Sequence, residues 1–531
     1  MELVDYILIS FVVLFSVVLL LPLLFIFHLR LKDEKQKEHA VLRNFPVLGK
    51  ARYITEKMGP ELRQYLFHND YEGKPFPRNE MESTYLSAKY KDRMLGFGSE
   101  KDFDSPGYYI KNSMFPAHRN EMRMDKDQTV KTKVYKIDKD KLFTRKEHRE
   151  YVDVDPVLLP AEDAIVIGEN SCRHPFHIKG LVGQSAMSYG SLGEKAITAL
   201  STGLGLARGT WMNTGEGGLT QHHLKGGADI ICQIGPGLFG VRTEDGNFSW
   251  EEFKRKSEIE EVKAFELKLA QGGKTRGGHV DAAKITPEIA AIRNVKPWTS
   301  IDSPNRFYQF DTTPEMVEFI KQLRKTGGKP VGIKIVVGHE DEIEELAAYM
   351  KKTGEGPDFI TVDGGEGGTG ASYQELADAT GLPIRTALPL VDDVLKKYHV
   401  RDRVKIFASG KLITPDKIAM ALAMGADLVN IARGMMFSVG CIQAQVCHTN
   451  NCPVGVATTD PDLQKALIVE EKSFRTCNYV ISLREGLINL AASAGLDSPT
   501  KFKRKHIVYR DDQGQLHSLE EMLKKKKPAT T

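Results

Sequence analysis

Eight short β-branched or apolar runs, most of them ending at a glycine-rich turn and alternating with helical stretches, constrain this chain more than any other feature. They lie at 181–187, 210–214, 229–234, 264–270, 331–337, 359–363, 404–408 and 428–432. Such alternation marks βα units around a parallel sheet. Eight of them predict an α/β fold of the (β/α)8, or TIM, barrel type, with catalytic groups at the C-terminal ends of the strands. An open doubly wound sheet would need a Gly-x-Gly-x-x-Gly turn after its first strand. The stretch from Gly183 to Gly190 does not have that spacing.

The barrel is expected over 166–500, leaving three other regions. Tyr6 to Phe27 is an uncharged run of 22 residues, long enough to cross a hydrocarbon layer of about 30 Å as a helix. A cleaved signal peptide would have a basic start and small residues at its end, whereas Glu2 and Asp5 precede this run and bulky residues close it. Residues 1–30 are therefore expected to be a retained single-pass anchor. Arg30, Lys32, Lys35 and Lys37 follow it and place the catalytic body on the cytoplasmic face of the cell membrane. Residues 31–165 form a polar, proline-punctuated flank with no chemistry-bearing motif, expected to clamp the barrel. The tail 501–531 is basic, from Lys501, Lys503, Arg504 and Lys505 to Lys524–Lys527. It suits a solvated charge run, or contact with an anionic inner leaflet. A net charge of +3 is too small to point to nucleic acid as a partner.

Six cysteines in 531 residues do not make a disulfide scaffold. Three of them are crowded together as Cys441-x5-Cys447-x4-Cys452-Pro453, the segment 441–452. Soft thiolates at this density suit an iron–sulfur cluster, with zinc or free thiols as the alternatives. A structural zinc wants a fourth nearby Cys or His, and His448 beside Cys447 is poorly placed to close a tetrahedron. Three ligands fit a [3Fe–4S] cluster. Cys172, Cys232 and Cys477 stand alone and read as structural thiols.

In barrels of this kind the turns after strands seven and eight hold phosphate. Here those turns are Ser409-Gly410-Lys411 and Arg433-Gly434, which offer backbone N–H groups and cations; singly, each would be no more than a turn. Further glycine-dense segments follow strands two, four and six: 213–218, 271–279 and 363–372, the last containing Glu366 and Gly367. Glycine lets backbone approach a planar ligand closely. Gln233, Lys268 and Lys334 are polar within apolar strands, which suits a ring around a flavin, with a lysine stabilising its reduced anion.

Several of these segments resemble the synthase domain of glutamate synthase. They are Ser185-Ala186-Met187-Ser-Tyr-Gly-Ser191, Asn213-Thr-Gly-Glu216-Gly-Gly218, Ala270-Gln-Gly-Gly-Lys274, Gly367-Gly-Thr-Gly-Ala-Ser372 and the cysteine segment through Thr458. The resemblance covers roughly 165–490, and the whole chain resembles stand-alone FMN-binding members of that family. It implies an oxidoreductase with FMN, a [3Fe–4S] cluster on Cys441, Cys447 and Cys452, and reductive amination of 2-oxoglutarate, or a related oxo acid, to glutamate. Ser185, Ala186, Met187, Asn213, Gln233, Lys268, Lys334, Glu366, Gly367, Gly410, Lys411, Arg433 and Gly434 would then hold FMN. Glu216, Lys274 and Arg293 match positions that meet the oxo acid, and His279 stands where many relatives have glutamine. Two cations suit a dicarboxylate, and Glu216 would carry the proton.

The chain departs from the family in places. Gly273-Lys-Thr-Arg-Gly-Gly is one residue shorter than the usual loop, Leu238 replaces an arginine, and Asp302-Ser-Pro-Asn-Arg-Phe307 replaces a proline–histidine segment. Glutaminase, glycine-repeat β-helix and NAD(P)H fingerprint are not found in it. Electrons are therefore expected from a ferredoxin or a separate reductase subunit. Alternative readings are a membrane-tethered redox subunit, an N-methylglutamate-synthase-like enzyme taking another amine, and a non-redox FMN isomerase, against which the cysteines argue.

Overall fold

A computed structural model describes residues 3–99, 101–137 and 147–525. It divides into two compact units, Met1–Asn79 and Glu80–Thr531. In the first, a single helix runs from Leu3 to Lys35, about 50 Å at 1.5 Å per residue. Every large apolar side chain on it from Leu3 to Phe27 is exposed. At its C-terminal end Asp33 is buried, pairs with Lys50 at 2.5 Å and accepts the Val47 N–H. The helix end is thereby tied, past the short helix Ala40–Asn44, to the helix Gly49–Leu62.

The second unit contains the expected barrel. Its strands are β1 (Val182–Gln184), β2 (Trp211–Asn213), β3 (Asp229–Ile234), β4 (Val262–Lys268), β5 (Val331–Ile335), β6 (Phe359–Asp363), β7 (Lys405–Ser409) and β8 (Leu428–Ile431). All pair in parallel and in order, and β8 closes on β1 through Val429↔Val182 and Asn430↔Gly183. Each falls within the segment expected for it, or within two residues of that segment. The main difference is β1, which stops at Gln184, so Ser185, Ala186 and Met187 belong to the turn beyond it.

Side chains alternate across a strand, and this sorts the barrel interior into tiers. Towards the N-terminal end, Trp211, Phe359 and Phe407 fill the centre, with ring centroids 5.1 Å apart in both successive pairs. Each such buried ring contributes about 1.5–3 kcal/mol, and Trp211 Nε1 donates to Asn430 at 2.8 Å. Two residues further along the same strands come Asn213, Thr361 and Ser409, with Gln233 and Glu266 from β3 and β4. Lys268, Lys334 and Asp363 stand at the strand ends. Apolar base and polar mouth follow from the period of two.

The flank from Glu80 onward is built into this unit. Arg484, on the helix Val469–Ser493, is buried and donates to the carbonyls of Pro156, Ala207 and Arg208. Asn478 on the same helix holds the carbonyls of Ala88 and Lys133. The tail is also folded. Ile507–Arg510 pairs with Gly107–Ile110 and with Leu516–Ser518, and Arg504 binds Asp392 and Asp393 at 2.8 and 2.7 Å. At Arg504 this corrects the expectation of a solvated charge run: the cation answers an aspartate that is 1% exposed. The final lysines Lys526 and Lys527 lie outside the described residues.

Candidate active site

At the mouth of the barrel the loop after β2 turns Glu216 inward. Its Oε1 accepts from Lys268 Nζ at 2.7 Å and from Lys274 Nζ at 2.6 Å. Lys268 ends β4, and Lys274 follows in a turn closed by reciprocal hydrogen bonds between Gln271 and Lys274. Gly235, just after β3, makes room: a Cβ there would lie 2.4 Å from Glu216 Oε2. Burial opposes ionisation of Glu216, but the two ammonium groups outweigh it and hold the carboxyl well below the usual range. Burial pushes Lys268 down to about 7, with Glu216 pulling the other way and Lys274 adding to the fall.

Arg293 ends the helix Pro287–Arg293 and is 3% exposed. It donates to the Tyr189 carbonyl at 3.0 Å and lies 5.4 Å from the Phe239 ring centre. Its Nε is buried without a hydrogen-bond partner. Among the described residues no carboxylate oxygen lies within 4.0 Å of it. Burial lowers it to about 10, against the attraction of Glu216. A buried guanidinium without an ion-pair partner can be answered by backbone carbonyls, as Arg484 is, or by an anionic ligand.

Sequence reasoning did not single out Glu266. It is 0% exposed in the barrel interior and accepts from Asn213 Nδ2 at 2.8 Å, Gln233 Nε2 at 2.6 Å and Thr361 Oγ1 at 2.5 Å. Asn213 and Gln233, expected at a cofactor, both give their amide N–H to this carboxylate. With its Nε2 so engaged, the Gln233 amide is held in one orientation. A lone acidic residue inside an apolar strand gives little sequence signal. Asp363 was missed likewise: it pairs with Lys334 at 3.1 Å and accepts the Gly272 N–H at 3.0 Å.

The turns after β7 and β8 differ from a bare phosphate cradle. Glu366 accepts the Ile384 N–H at the start of the helix Ile384–Lys397, and burial pushes its carboxyl up. Arg433 donates to the Glu366 carbonyl at 2.9 Å. A Cβ on Gly410, at φ +147°, would come within 3.4 Å of the Glu366 carboxyl carbon. Lys411 follows Gly410 with a positive φ of 53°. Gly434 packs under Tyr479, where a Cβ would lie 2.4 Å from the hydroxyl. Gly367 meets Gly272 backbone to backbone, with a Cβ on Gly367 falling 2.6 Å from Gly272 Cα. The glycine density after β4 and β6 thus serves loop-to-loop packing across the mouth. At the end of β1, Ser185 N–H donates to Ile431 and Met187 N–H to Asn213, while Ala186 is half-buried.

His279 is exposed, in a two-residue bridge with Ile301–Asp302, and its Nδ1 lies 2.9 Å from Asp302 Oδ1. Its partner is the surface carboxylate of Asp302, while the preceding Gly278 packs against the Lys274 side chain.

Residues 118–497 match the family model described as the conserved region in glutamate synthase. The chain belongs to the glutamate synthase family. It is 64% identical to the glutamate synthase large subunit-like protein YerD of Bacillus subtilis, over 98% of this chain and 99% of that one. It is 31% identical to the archaeal-type glutamate synthase [NADPH] of Thermotoga maritima, over 61% of each. It spans 21% of the B. subtilis glutamate synthase [NADPH] large chain, at 29% identity. Solved structures that it matches include a mutant flavocytochrome b2 with pyruvate bound, at 13% identity, 85% coverage of each chain and a TM-score of 0.41. Like its family, the chain is a glutamate-synthase-like oxidoreductase.

Three cysteines of this family member line one pocket. Cys441, Cys447 and Cys452 share its apolar wall with Met436, Val446 and Val456, and His448 is exposed and not part of it. Burial pushes the Cys441 thiol up to about 12 and raises Cys447, so these thiols ionise only for a cation. Among the described residues no three Cys, His, Asp or Glu side chains converge on a single metal position. A single zinc at about 2.3 Å from each sulfur needs that convergence. A multi-iron cluster does not, because each thiolate binds a different iron. Three thiols around one apolar pocket are the residues that would hold a metal–sulfur group.

Proposed function

We propose that the chain binds FMN over the barrel mouth and a [3Fe–4S] cluster at Cys441, Cys447 and Cys452, and reductively aminates 2-oxoglutarate to glutamate. The observation that carries this reading is the placement of Lys268, Lys274 and the unpaired Arg293 around Glu216. A dicarboxylate needs cations at both ends, and buried ones discriminate strongly. FMN would be held by Gln233, Lys268 and Lys334 below and by Gly410, Lys411 and Arg433 at its phosphate. It supplies the hydride that converts the imino carbon to an amine carbon.

The protein residues then divide the remaining work. Arg293 and Lys274 bind the carboxylates. Glu216 stays ionised and fixes both lysines, so it is not the proton donor that its sequence position suggests. That role falls to Lys268, whose value of about 7 is near the working pH, as general acid catalysis requires. The full step consumes one oxo acid, one ammonia, two electrons and two protons and releases one water. Electrons come from a ferredoxin-type or reductase partner. The exposed apolar helix Leu3–Lys35 supports a single membrane anchor, with the body on the cytoplasmic side.

Anaerobically purified full-length protein, given 2-oxoglutarate, ammonia and a reduced one-electron donor, is expected to form glutamate. Flavin and iron analysis of the same sample is expected to show FMN and iron. Absence of glutamate from fully loaded protein would overturn the substrate assignment.

A further inference from the structure

Lys284 closes the 3-10 turn Ala282–Lys284, just before the helix that ends in Arg293. It is 5% exposed. Its Nζ donates to the backbone carbonyl of Cys447 at 2.6 Å. Among the described residues, no Asp or Glu oxygen lies within 4.0 Å of that ammonium. Asp281, three residues earlier, instead caps the Ala283 N–H at 2.8 Å from an exposed position. The electrostatic neighbours of Lys284 are Cys447 and Cys452, then Arg293 and Asp281. The loop after β6 closes the same place, since a Cβ on Gly370 would lie 3.1 Å from Cys447.

A buried ammonium with one neutral acceptor is strongly destabilising unless an anion stands nearby. The local charges make the point sharper, because Arg293, the other buried cation here, also has no ion-pair partner. Among the described residues, the groups beside Lys284 that weigh most as sites of negative charge are Cys447 and Cys452 of the three-cysteine pocket, ahead of the exposed Asp281.

We infer that Lys284 is the built-in counter-charge of an anionic metal–sulfur cluster on Cys441, Cys447 and Cys452, placed to favour the cluster's reduced form. This rests on the cluster reading given above. Three thiolates and the bridging sulfides outweigh the iron charge, so the group is negative in either oxidation state. Reduction by a one-electron donor protein would add one further negative charge. A fixed cation at Cys447 stabilises that added charge. The same short connector carries Lys284 to the cluster and Arg293 to the oxo acid, so cluster and substrate site share one positioning element.

The test is an anaerobic redox titration of the full-length protein, read by electron paramagnetic resonance, on wild type, Lys284→Met and Lys284→Arg. Iron and sulfide content and Tm are measured on the same samples. Lys284→Met is expected to lower the equilibrium constant for cluster reduction by tenfold or more, about 59 mV for one electron. Lys284→Arg is expected to stay near wild type. Failure of Lys284→Met alone to retain iron, with Lys284→Arg loaded, also supports the counter-charge. Equal loading and equal potentials in all three would overturn the role of Lys284 and leave the cluster standing. Iron-free wild-type protein would overturn the cluster and this role together.

Discussion

Two carboxylates occupy neighbouring tiers of one barrel, and they are satisfied in opposite ways. Glu266, fully buried, is met by three neutral donors from β2, β3 and β6. Glu216, one tier higher, is met by two ammonium groups on a single oxygen. Neutral donors satisfy a buried carboxylate without adding charge, so the Glu266 centre is a fixed structural brace. Ion pairs at the mouth hold charge in reserve, because a substrate anion can take over either lysine. The difference teaches that burial alone does not mark a reacting group. The kind of partner does.

The largest expected effect separates the two centres directly. Glu216→Gln removes the shared anion and leaves two buried ammonium groups facing each other. Turnover of 2-oxoglutarate should fall by about 100-fold or more, the range typical of lost positioning in general acid–base sites. A similar loss of Tm in Glu216→Gln and Glu266→Gln, with turnover kept in both, would erase the distinction.

Next in size is Arg293→Met. One charge-assisted hydrogen bond to a carboxylate is worth about 1.5–3 kcal/mol, so the KM for 2-oxoglutarate should rise by about 10- to 150-fold. Flavin content should stay unchanged. His279→Ala sharpens the same point, since an exposed histidine paired with Asp302 should leave both constants near wild type.

Glu266→Gln should act on stability instead. An amide N–H2 turned towards the Asn213 or Gln233 donor leaves a buried donor unsatisfied, costing about 1–3 kcal/mol. Thermal melting should register it, and flavin should dissociate more readily because Gln233 loses its fixed orientation.

The smallest effect concerns pH. Lys268 is protonated below about 7, so a rate that needs its proton falls as pH rises through that value. Lys274→Met removes a like charge and should move this transition to higher pH. Glu216→Gln removes the attraction and should move it lower. Flavin absorbance of the loaded protein, followed from pH 5.5 to 9 without substrate, reads both shifts.

Much of this was legible in the linear chain because local rules carry it. Eight apolar runs with glycine punctuation became eight parallel strands, and lysines at strand ends came to the mouth, since side chains alternate and strands share a direction. Cys441, Cys447 and Cys452 are close in sequence, so their common pocket needed no long-range contact. The family match rests on the same segments. Less was legible where partners are distant. His279 lies in a glycine-rich loop, and its partner Asp302 stands 23 residues away. Arg504 looked solvated until Asp392, 112 residues earlier, claimed it.

What the sequence determined alone is therefore periodic and local: the strand pattern, the long apolar helix, the cysteine spacing and the lysines at the strand ends. The tertiary structure decided which charges are answered and by what. The parallel pairing of β2, β3 and β4 brings Glu216 to Lys268 and Lys274, the barrel interior gives Glu266 its three neutral donors, and Arg293 and Lys284 are buried with no carboxylate partner among the described residues. Those pairings join loops and strands far apart in the chain, and electrostatic energy depends on distance in space, which spacing along the sequence does not record.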